Sequence, residues 1–514
     1  MAESLKEKTA KGLFWGAMNN GAMQLIGLLF GIVLGRLLSP SDYGMIAMIT
    51  VFSLIANALQ NSGFITAITN LKEPTDNDYN SVFWFNITVG SFLYVVLFVS
   101  APLIADYYHT PALIPLCRYA FLSVLVSSLC TAQSAYLFKN MMVKQKAQAS
   151  IIATLSSSIV GVAMAFAGFA YWALATQTLV YNIVNTLLFW YYSPWRPSLR
   201  FDFEPVKRMF RFSCKLLATT ITTHINNNVL NILLGHYFTA HDTGNYNQAS
   251  QWNFKAYYVI QGMIDSVAQP VLVSLREQKD RQLEALRKLI RFTAFISFPL
   301  MFGFGMVARE FIVLAITDKW LASAELLQIL CISGAVIPMC QLMSSLIVSN
   351  GKSGTFFWVT FSLGIVQIVT MALIWHWGIR NMVIVYVGLN LIWLFVWQHF
   401  VNRLIGYRVW MFLKDILPFA LSALGVMVAT YLATMSIRNL VLLLLCRIAM
   451  AVVLYYLVMR VAGAAILKEF LGFVKRILGK WGIQERPSPL SWELIMALNT
   501  SASNWIPFLP RPIP

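Results

Sequence analysis

Leu34-Gly35-Arg36-Leu37-Leu38-Ser39-Pro40-Ser41-Asp42-Tyr43-Gly44 and Leu234-Gly235-His236-Tyr237-Phe238-Thr239-Ala240-His241-Asp242-Thr243-Gly244 are two versions of one phrase. Leu, Gly, Asp and Gly recur in register, two hundred residues apart. Each copy ends one long apolar segment and opens the next. The basic approach recurs too, since Lys8 and Lys11 align with Arg208 and Arg211. A repeat at this spacing implies a membrane protein of two equivalent halves, and such proteins move a substrate between the halves.

The composition agrees. The 514 residues are 58% hydrophobic and 11% charged. A soluble domain carries about 25% charged residues, so this apolar excess needs lipid to cover it. The segment after Lys11 is followed by many like it and by no A-x-A site, so it reads as a first helix and not as a cleaved leader. The net charge of +17 does not point to nucleic acid, because the basic residues collect in alternate loops. Cys117, Cys130, Cys214, Cys331, Cys340 and Cys446 fall in or beside apolar segments without a CxxC. They read as core residues, with no disulfide or metal role.

A span needs about 20 apolar residues. By that rule the chain is an all-α integral membrane protein of about fourteen transmembrane helices. The expected spans are 13–36, 43–68, 80–104, 112–137, 147–168, 170–192, 209–236, 243–272, 290–316, 322–348, 354–377, 381–402, 411–435 and 439–462. With the N-terminus in the cytoplasm, the inner loops hold Lys139, Lys144, Lys146, Arg196, Arg208, Arg276, Lys279, Arg281, Arg287 and Lys288. The outer loops carry only Lys319, Arg380 and Arg438. Both termini are therefore expected in the cytoplasm.

The repeats divide the chain into an N-terminal lobe (1–192), a linker (193–208), a C-terminal lobe of the same orientation (209–402) and two extra helices (403–462). Six helices per lobe is an even number, so the axis relating the lobes runs along the membrane normal, and the cleft between them is the expected path. Residues 463–483 read as a basic amphipathic helix on anionic phospholipid at the cytoplasmic face. Leu467, Phe470, Leu471, Val474 and Leu478 share one side of it, with Lys468, Lys475 and Lys480 opposite. The Pro-rich segment 484–514 reads as disordered.

Polar groups inside spans face a protein interior or a wet cavity. In the first span Asn20 and Gln24 share a face with Gly27, Gly31 and Gly35, a spacing that lets another helix approach closely. In the seventh, Lys215, Thr219, Thr222 and Asn226 form one stripe, and His224, Asn228 and Asn231 another. In the eighth, Asn247, Gln251, Lys255 and Asp265 follow one face. Lys255 and Asp265 are about 15 Å apart along a helix, too far to pair. Arg118 lies within the fourth span, and Arg36 ends the first. The substrate-binding candidates are therefore Asn20, Gln24, Arg36, Arg118, Lys215, His224, Asn228, Gln251 and Lys255. Cations among them suit an anionic substrate, while Arg36 and Lys215 can also snorkel to the interface and His224 can carry a proton. Asp265, Asp42 and Glu310 are candidates for coupling to a proton or sodium gradient, although Asp42 also suits a helix cap. The chain has no GxxxxGK[ST] motif. No metal, cofactor or enzymatic activity is expected. Asp76-Asn77-Asp78 resembles a glycosyltransferase DxD but has no nucleotide-binding domain around it.

Arg36-Leu-Leu-Ser-Pro-Ser-Asp-Tyr-Gly44 resembles the signature turn of bacterial polysaccharide-transporter flippases. Ser4-Leu-Lys-Glu-Lys-Thr9, Tyr171-Trp-Ala-Leu174, Gly244-Asn-Tyr-Asn-Gln-Ala249 and Asp318-Lys-Trp320 resemble the colanic-acid-exporter type of the same family. The resemblance covers approximately residues 4–480. It implies the multidrug/oligosaccharidyl-lipid/polysaccharide superfamily, alternating access between two lobes, and an oligosaccharide unit on undecaprenyl diphosphate as substrate. It also implies a bacterial inner-membrane location, with a polysaccharide polymerase and glycosyltransferases as partners. Relatives that flip peptidoglycan precursor carry several arginines in the first helices. Here Arg36 is joined only by Asn19, Asn20 and Gln24, which points to a surface polysaccharide unit instead. The competing readings are a cation-coupled multidrug antiporter, a membrane polymerase and a scaffold. The two extra helices, the short outer loops and the buried Lys255 and Asp265 count against these in turn.

Overall fold

The computed structural model describes residues 5–61, 64–199, 202–464, 466–469 and 472. Among them every regular element is helical. The first half holds α1 (Leu5–Leu37), α2 (Pro40–Asn61), α3 (Phe64–Asn70), α4 (Asp76–Tyr107), α5 (Leu113–Ala120), α6 (Leu122–Ser128), α7 (Thr131–Lys139), α8 (Val143–Phe166) and α9 (Tyr171–Tyr192). Then come α10 (Phe203–Tyr237), α11 (Ala240–Ser274), α12 (Lys279–Met306), α13 (Ala308–Ile316), α14 (Leu321–Ser349), α15 (Ser353–Ile374), α16 (Ile379–Ile405), α17 (Val409–Thr434) and α18 (Leu440–Val461). Each apolar segment of the sequence is helical. Ten helices are long and apolar enough to cross a membrane, or eleven if the pair Leu113–Ser128 and Thr131–Lys139, bent by 42°, counts as one span. This is a multi-pass membrane protein. α9, α10 and α11 fall short of that measure because of the Asn, Gln, Thr and Lys they carry, which suits helices facing an interior. The expected span 290–316 is in fact α12, which begins earlier at Lys279, followed by the separate helix α13.

The repeated Asp and Gly have structural jobs. Ser39 caps α2: its backbone N–H and hydroxyl donate to Asp42 Oδ2 at 2.8 and 2.6 Å, and Asp42 N–H donates back to Ser39 Oγ at 3.3 Å. Thr239 and Asp242 repeat this capping box at the start of α11. The cap is thus Ser39, and Asp42 is its partner three residues on. One turn further, α2 and α11 cross at Gly44 and Gly244. A Cβ on Gly44 would lie inside the Ala240 carbonyl, and one on Gly244 inside the Pro40 carbonyl. Only glycine permits this reciprocal approach. Asp76-Asn77-Asp78 is likewise architectural. Asp78 completes a capping box with Thr75 on α4, and Asn77 Nδ2 donates to Asp202 at 3.0 Å.

The second half packs around one continuous apolar core running from Val229 to Leu467 that also takes in Leu34, Leu38 and Tyr43, while the first half has smaller clusters around Phe121 and Phe64. Cys117, Cys130 and Cys331 are buried, and the five cysteines whose side chains are described are free. Buried ion pairs attach α17 and α18. Asp415, 3% exposed, accepts from Arg287 Nε and Nη2 at 2.8 and 3.1 Å, from Arg291 Nε at 2.6 Å and from Tyr407 Oη at 2.9 Å. Arg447 Nη1 donates to Glu310 at 2.8 Å, with both side chains buried. Such pairs register helices because an unmatched partner is costly inside. Beyond α18, Glu469 pairs with Lys288 at 2.9 Å. Most of the expected amphipathic helix and all of 484–514 lie outside the described residues.

Candidate functional site

A polar cavity of about 640 Å³ opens just beneath the crossing of α2 and α11. Its size is that of a small-molecule site. α10 contributes Asn226, Asn227, Asn228 and Asn231, and α11 contributes Asn247, Gln251, Asn253 and Lys255. Thr360 of α15, with Asn390, Trp393 and Trp397 of α16, closes the far wall. Gln24 and Thr50 are the described lining residues from the first half.

The amides are held in place by one another and by backbone. Asn226 Nδ2 donates to the Thr360 carbonyl at 2.7 Å, and Asn228 Nδ2 to the His224 carbonyl at 3.0 Å. Gln251 Nε2 donates to Asn247 Oδ1 at 2.9 Å. Two glycines seat this lining: a Cβ on Gly364 would meet Asn226 Oδ1, and one on Gly334 would meet Asn253 Oδ1. The side-chain oxygens of Asn226, Asn231 and Asn253 are buried without a hydrogen-bond partner among the described residues. Amides donate and accept at once, as hydroxyls do. With aromatic faces beside them, they make a lining suited to a polyhydroxylated ligand.

Lys255 is the cation among the described lining residues. Its ammonium stands over the Trp252 ring at 4.5 Å from the centroid. It reaches α1, where a Cβ on Gly31 would be 3.5 Å from Nζ. No hydrogen bond or ion pair to Lys255 is found among the described residues. An ammonium in this position is ready for an anion. The glycine stripe of α1 therefore does three different things. Gly35 is pressed by Ile316 (2.6 Å to an ideal Cβ), Gly31 faces the lysine, and Gly27 has nothing within 4 Å.

The sequence candidates separate accordingly. Gln24, Asn228, Gln251 and Lys255 line the cavity. Asn20 is exposed on α1, and His224 contributes its carbonyl behind the α10 amides. Arg118 is stacked on Phe98 at 4.5 Å, away from the cavity. Arg36 sits at the closed end, where Nε and Nη2 donate to the Ala315 and Leu314 carbonyls at 2.7 and 2.6 Å. Glu310 faces Arg447, and Asp42 is in its capping box. Lys215 and Asp265 belong to α10 and α11, but their side chains lie outside the described set. The contribution of α15 and α16 went unseen in the sequence. Thr360, Gln367 and Asn390, single polar residues in long apolar runs, were the available signal.

The closed end is built from the repeated turns. Trp320 Nε1 donates to the Gly35 carbonyl at 2.8 Å, Lys319 Nζ to the Arg36 carbonyl at 2.7 Å, and Tyr43 meets Trp320 edge-on. On the other side, a Cβ on Gly235 would press on Tyr108 and Met48 at 2.7 and 2.8 Å.

A bundle of this kind, closed at one end over an amide-rich chamber, has the form of a membrane transporter. The sequence profile of the polysaccharide biosynthesis protein family matches residues 33–325, and the chain belongs to that family. It is 25% identical over 356 residues to the lipopolysaccharide biosynthesis protein WzxC of Escherichia coli (strain K12), covering 68% of this chain and 71% of that one. It is 23% identical over 359 residues to the teichuronic acid biosynthesis protein TuaB of Bacillus subtilis (strain 168), covering 69% and 74%. Among solved structures, the lipid II flippase MurJ in an inward closed conformation has the same fold, with a TM-score of 0.73 at 14% identity over 87% of this chain and 98% of that one. An inward-facing multidrug resistance MATE transporter follows at 0.57 and 15%, over 74% and 95%.

Proposed function

We propose that this protein is a flippase for a lipid-linked oligosaccharide unit, carried on undecaprenyl diphosphate across the bacterial inner membrane for surface polysaccharide synthesis. The carrying observation is the chamber of asparagines and indoles with Lys255 at its seam. A glycan cannot cross hydrocarbon with its hydroxyls unpaired, and the amides offer them partners. Lys255 offers its charge to the diphosphate. The lipid chain stays in the bilayer beside the helices. Membership of a polysaccharide biosynthesis family supports the substrate class, and the relatives named for lipopolysaccharide and teichuronic acid fit it.

The two lobes rock about the α2–α11 crossing, which shuts one end of the chamber while the other opens. The basic end faces the cytoplasm, with both termini there. An ion gradient drives the cycle, with Asp265 the candidate carrier. Glycosyltransferases act before it and the polymerase after it on the same lipid.

The test is a strain lacking this gene with its glycosyltransferases intact. Complete lipid-linked unit should accumulate in the inner membrane by mass spectrometry while surface polymer is lost. Normal polymer with altered sensitivity to cationic drugs would indicate an antiporter instead.

A further inference from the structure

A second cavity lies between α12, α17 and α18, a groove of about 510 Å³ with an apolar lining. Phe295, Pro299 and Gly303 form one wall, with Met427, Ala451 and Tyr455 facing them. Among the described residues it shares no lining residue with the polar chamber. Pro299 helps to shape it. Proline has no N–H to give the Phe295 carbonyl, and the Tyr455 hydroxyl donates there at 3.0 Å. Ion pairs on buried carboxylates hold the walls at both ends: Asp415 with Arg287 and Arg291 at one, Glu310 with Arg447 at the other.

At the Asp415 end two arginines share one carboxylate, and Glu284 also lies within electrostatic reach of Arg287. Arg291 is 41% exposed and uses only Nε on Asp415. Its two Nη groups have no hydrogen-bond partner among the described residues. Arg291, Phe295 and Pro299 stand four residues apart on one stripe of α12. An anion at Arg291 therefore has the groove beneath it.

We propose that this groove is a site for an anionic glycerophospholipid, with its phosphate on Arg291 and an acyl chain between α12 and α18. Basic pockets between helices at the membrane surface take such headgroups. Phosphatidylcholine brings the same phosphate, but it also sets a choline cation against Arg287 and Arg291, a repulsion that an anionic headgroup does not add. The walls are ion-pinned within one half of the chain, so the lipid stays resident and is not cargo. The proposal does not depend on what the chamber carries.

The test uses the full chain in nanodiscs of phosphatidylcholine, phosphatidylglycerol and undecaprenyl phosphate, with lipid retained after detergent release counted by native mass spectrometry. Phosphatidylglycerol should be retained about tenfold over phosphatidylcholine, a difference of about 1.4 kcal/mol, and Arg291→Ala should abolish the preference. Val452→Trp places an indole in the groove without touching the ion pair. It should also lose the lipid, at unchanged Tm. Equal retention of the two phospholipids, or retention that survives Val452→Trp, overturns the proposal. Undecaprenyl phosphate retained ahead of phosphatidylglycerol also overturns it and gives the groove to the cargo.

Discussion

Arg36 and His236 occupy the same place in the two repeats, and each bonds to a helix end in the opposite half. Arg36 donates to the Ala315 and Leu314 carbonyls. His236 Nδ1 lies 2.6 Å from the Tyr107 carbonyl, with its ring stacked on Tyr107 at 4.3 Å. A carbonyl only accepts, so Nδ1 carries the proton. The closed end is thus latched twice, once by a guanidinium and once by an imidazole.

The two latches should differ in strength. Hydrogen bonds from charged groups contribute about 1.5–3 kcal/mol and neutral ones about 0.5–1.5. Arg36→Ala should therefore open the closed end more than His236→Ala. Spin labels at Ala112 and Asp318, both exposed, would read this as a larger long-distance population. Equal or absent shifts in both variants would remove the latch.

The helix crossing should tolerate no side chain. Gly44→Ala or Gly244→Ala puts a methyl into a backbone carbonyl. Overpacking costs about 1–3 kcal/mol even where side chains can yield, and here backbone must move. Either variant should insert normally yet lose surface polymer. Wild-type polymer from either would show that the two helices need not meet in the cycle.

Lys255→Met should lower export on the order of tenfold or more, the value of one charge-assisted hydrogen bond, and Lys255→Arg should restore most of it. Gly31→Leu fills the space that the ammonium occupies and should copy Lys255→Met. Export rate at matched protein level is the measurement.

Asp415→Ala leaves Arg287 and Arg291 facing each other. Breaking a buried pair costs about 3–5 kcal/mol, and the partly wet arginines place this one at the low end. A clear fall in Tm in detergent is expected. Unchanged Tm would mean that packing alone holds α17.

Asp202 joins the linker to α4. The Glu204 N–H and the Asn77 amide hold its carboxyl below the usual carboxylate range. A depressed folded pKa gives stability that is present above the unfolded value and lost as pH falls through the folded one. Hydrogen-exchange protection at the start of α10, taken relative to the intrinsic amide rate at each pH, should therefore fall in acid, and Asp202→Asn should flatten that dependence.

Much of this architecture was legible in the chain. Apolar length located the helices, and the recurring Asp and Gly marked the capping boxes and the crossing. The chamber was half legible. Asn228, Gln251 and Lys255 follow helical stripes whose polarity cannot face lipid. Thr360 and Asn390 sit in predominantly apolar runs, and only tertiary packing aims them inward. Charge was the poorer guide, because a cation in a span has several outlets. Arg118 found an aromatic face, Arg36 found carbonyls, and Glu310 found Arg447, whose partner lies far away in sequence.

Among the described residues the chamber is walled almost wholly by the second half, with Gln24 and Thr50 the lining residues from the first. The likeness of the repeats therefore conceals a division of labour. In the proposed cycle, whatever the chamber holds is a passenger of one half, while the other works as the door.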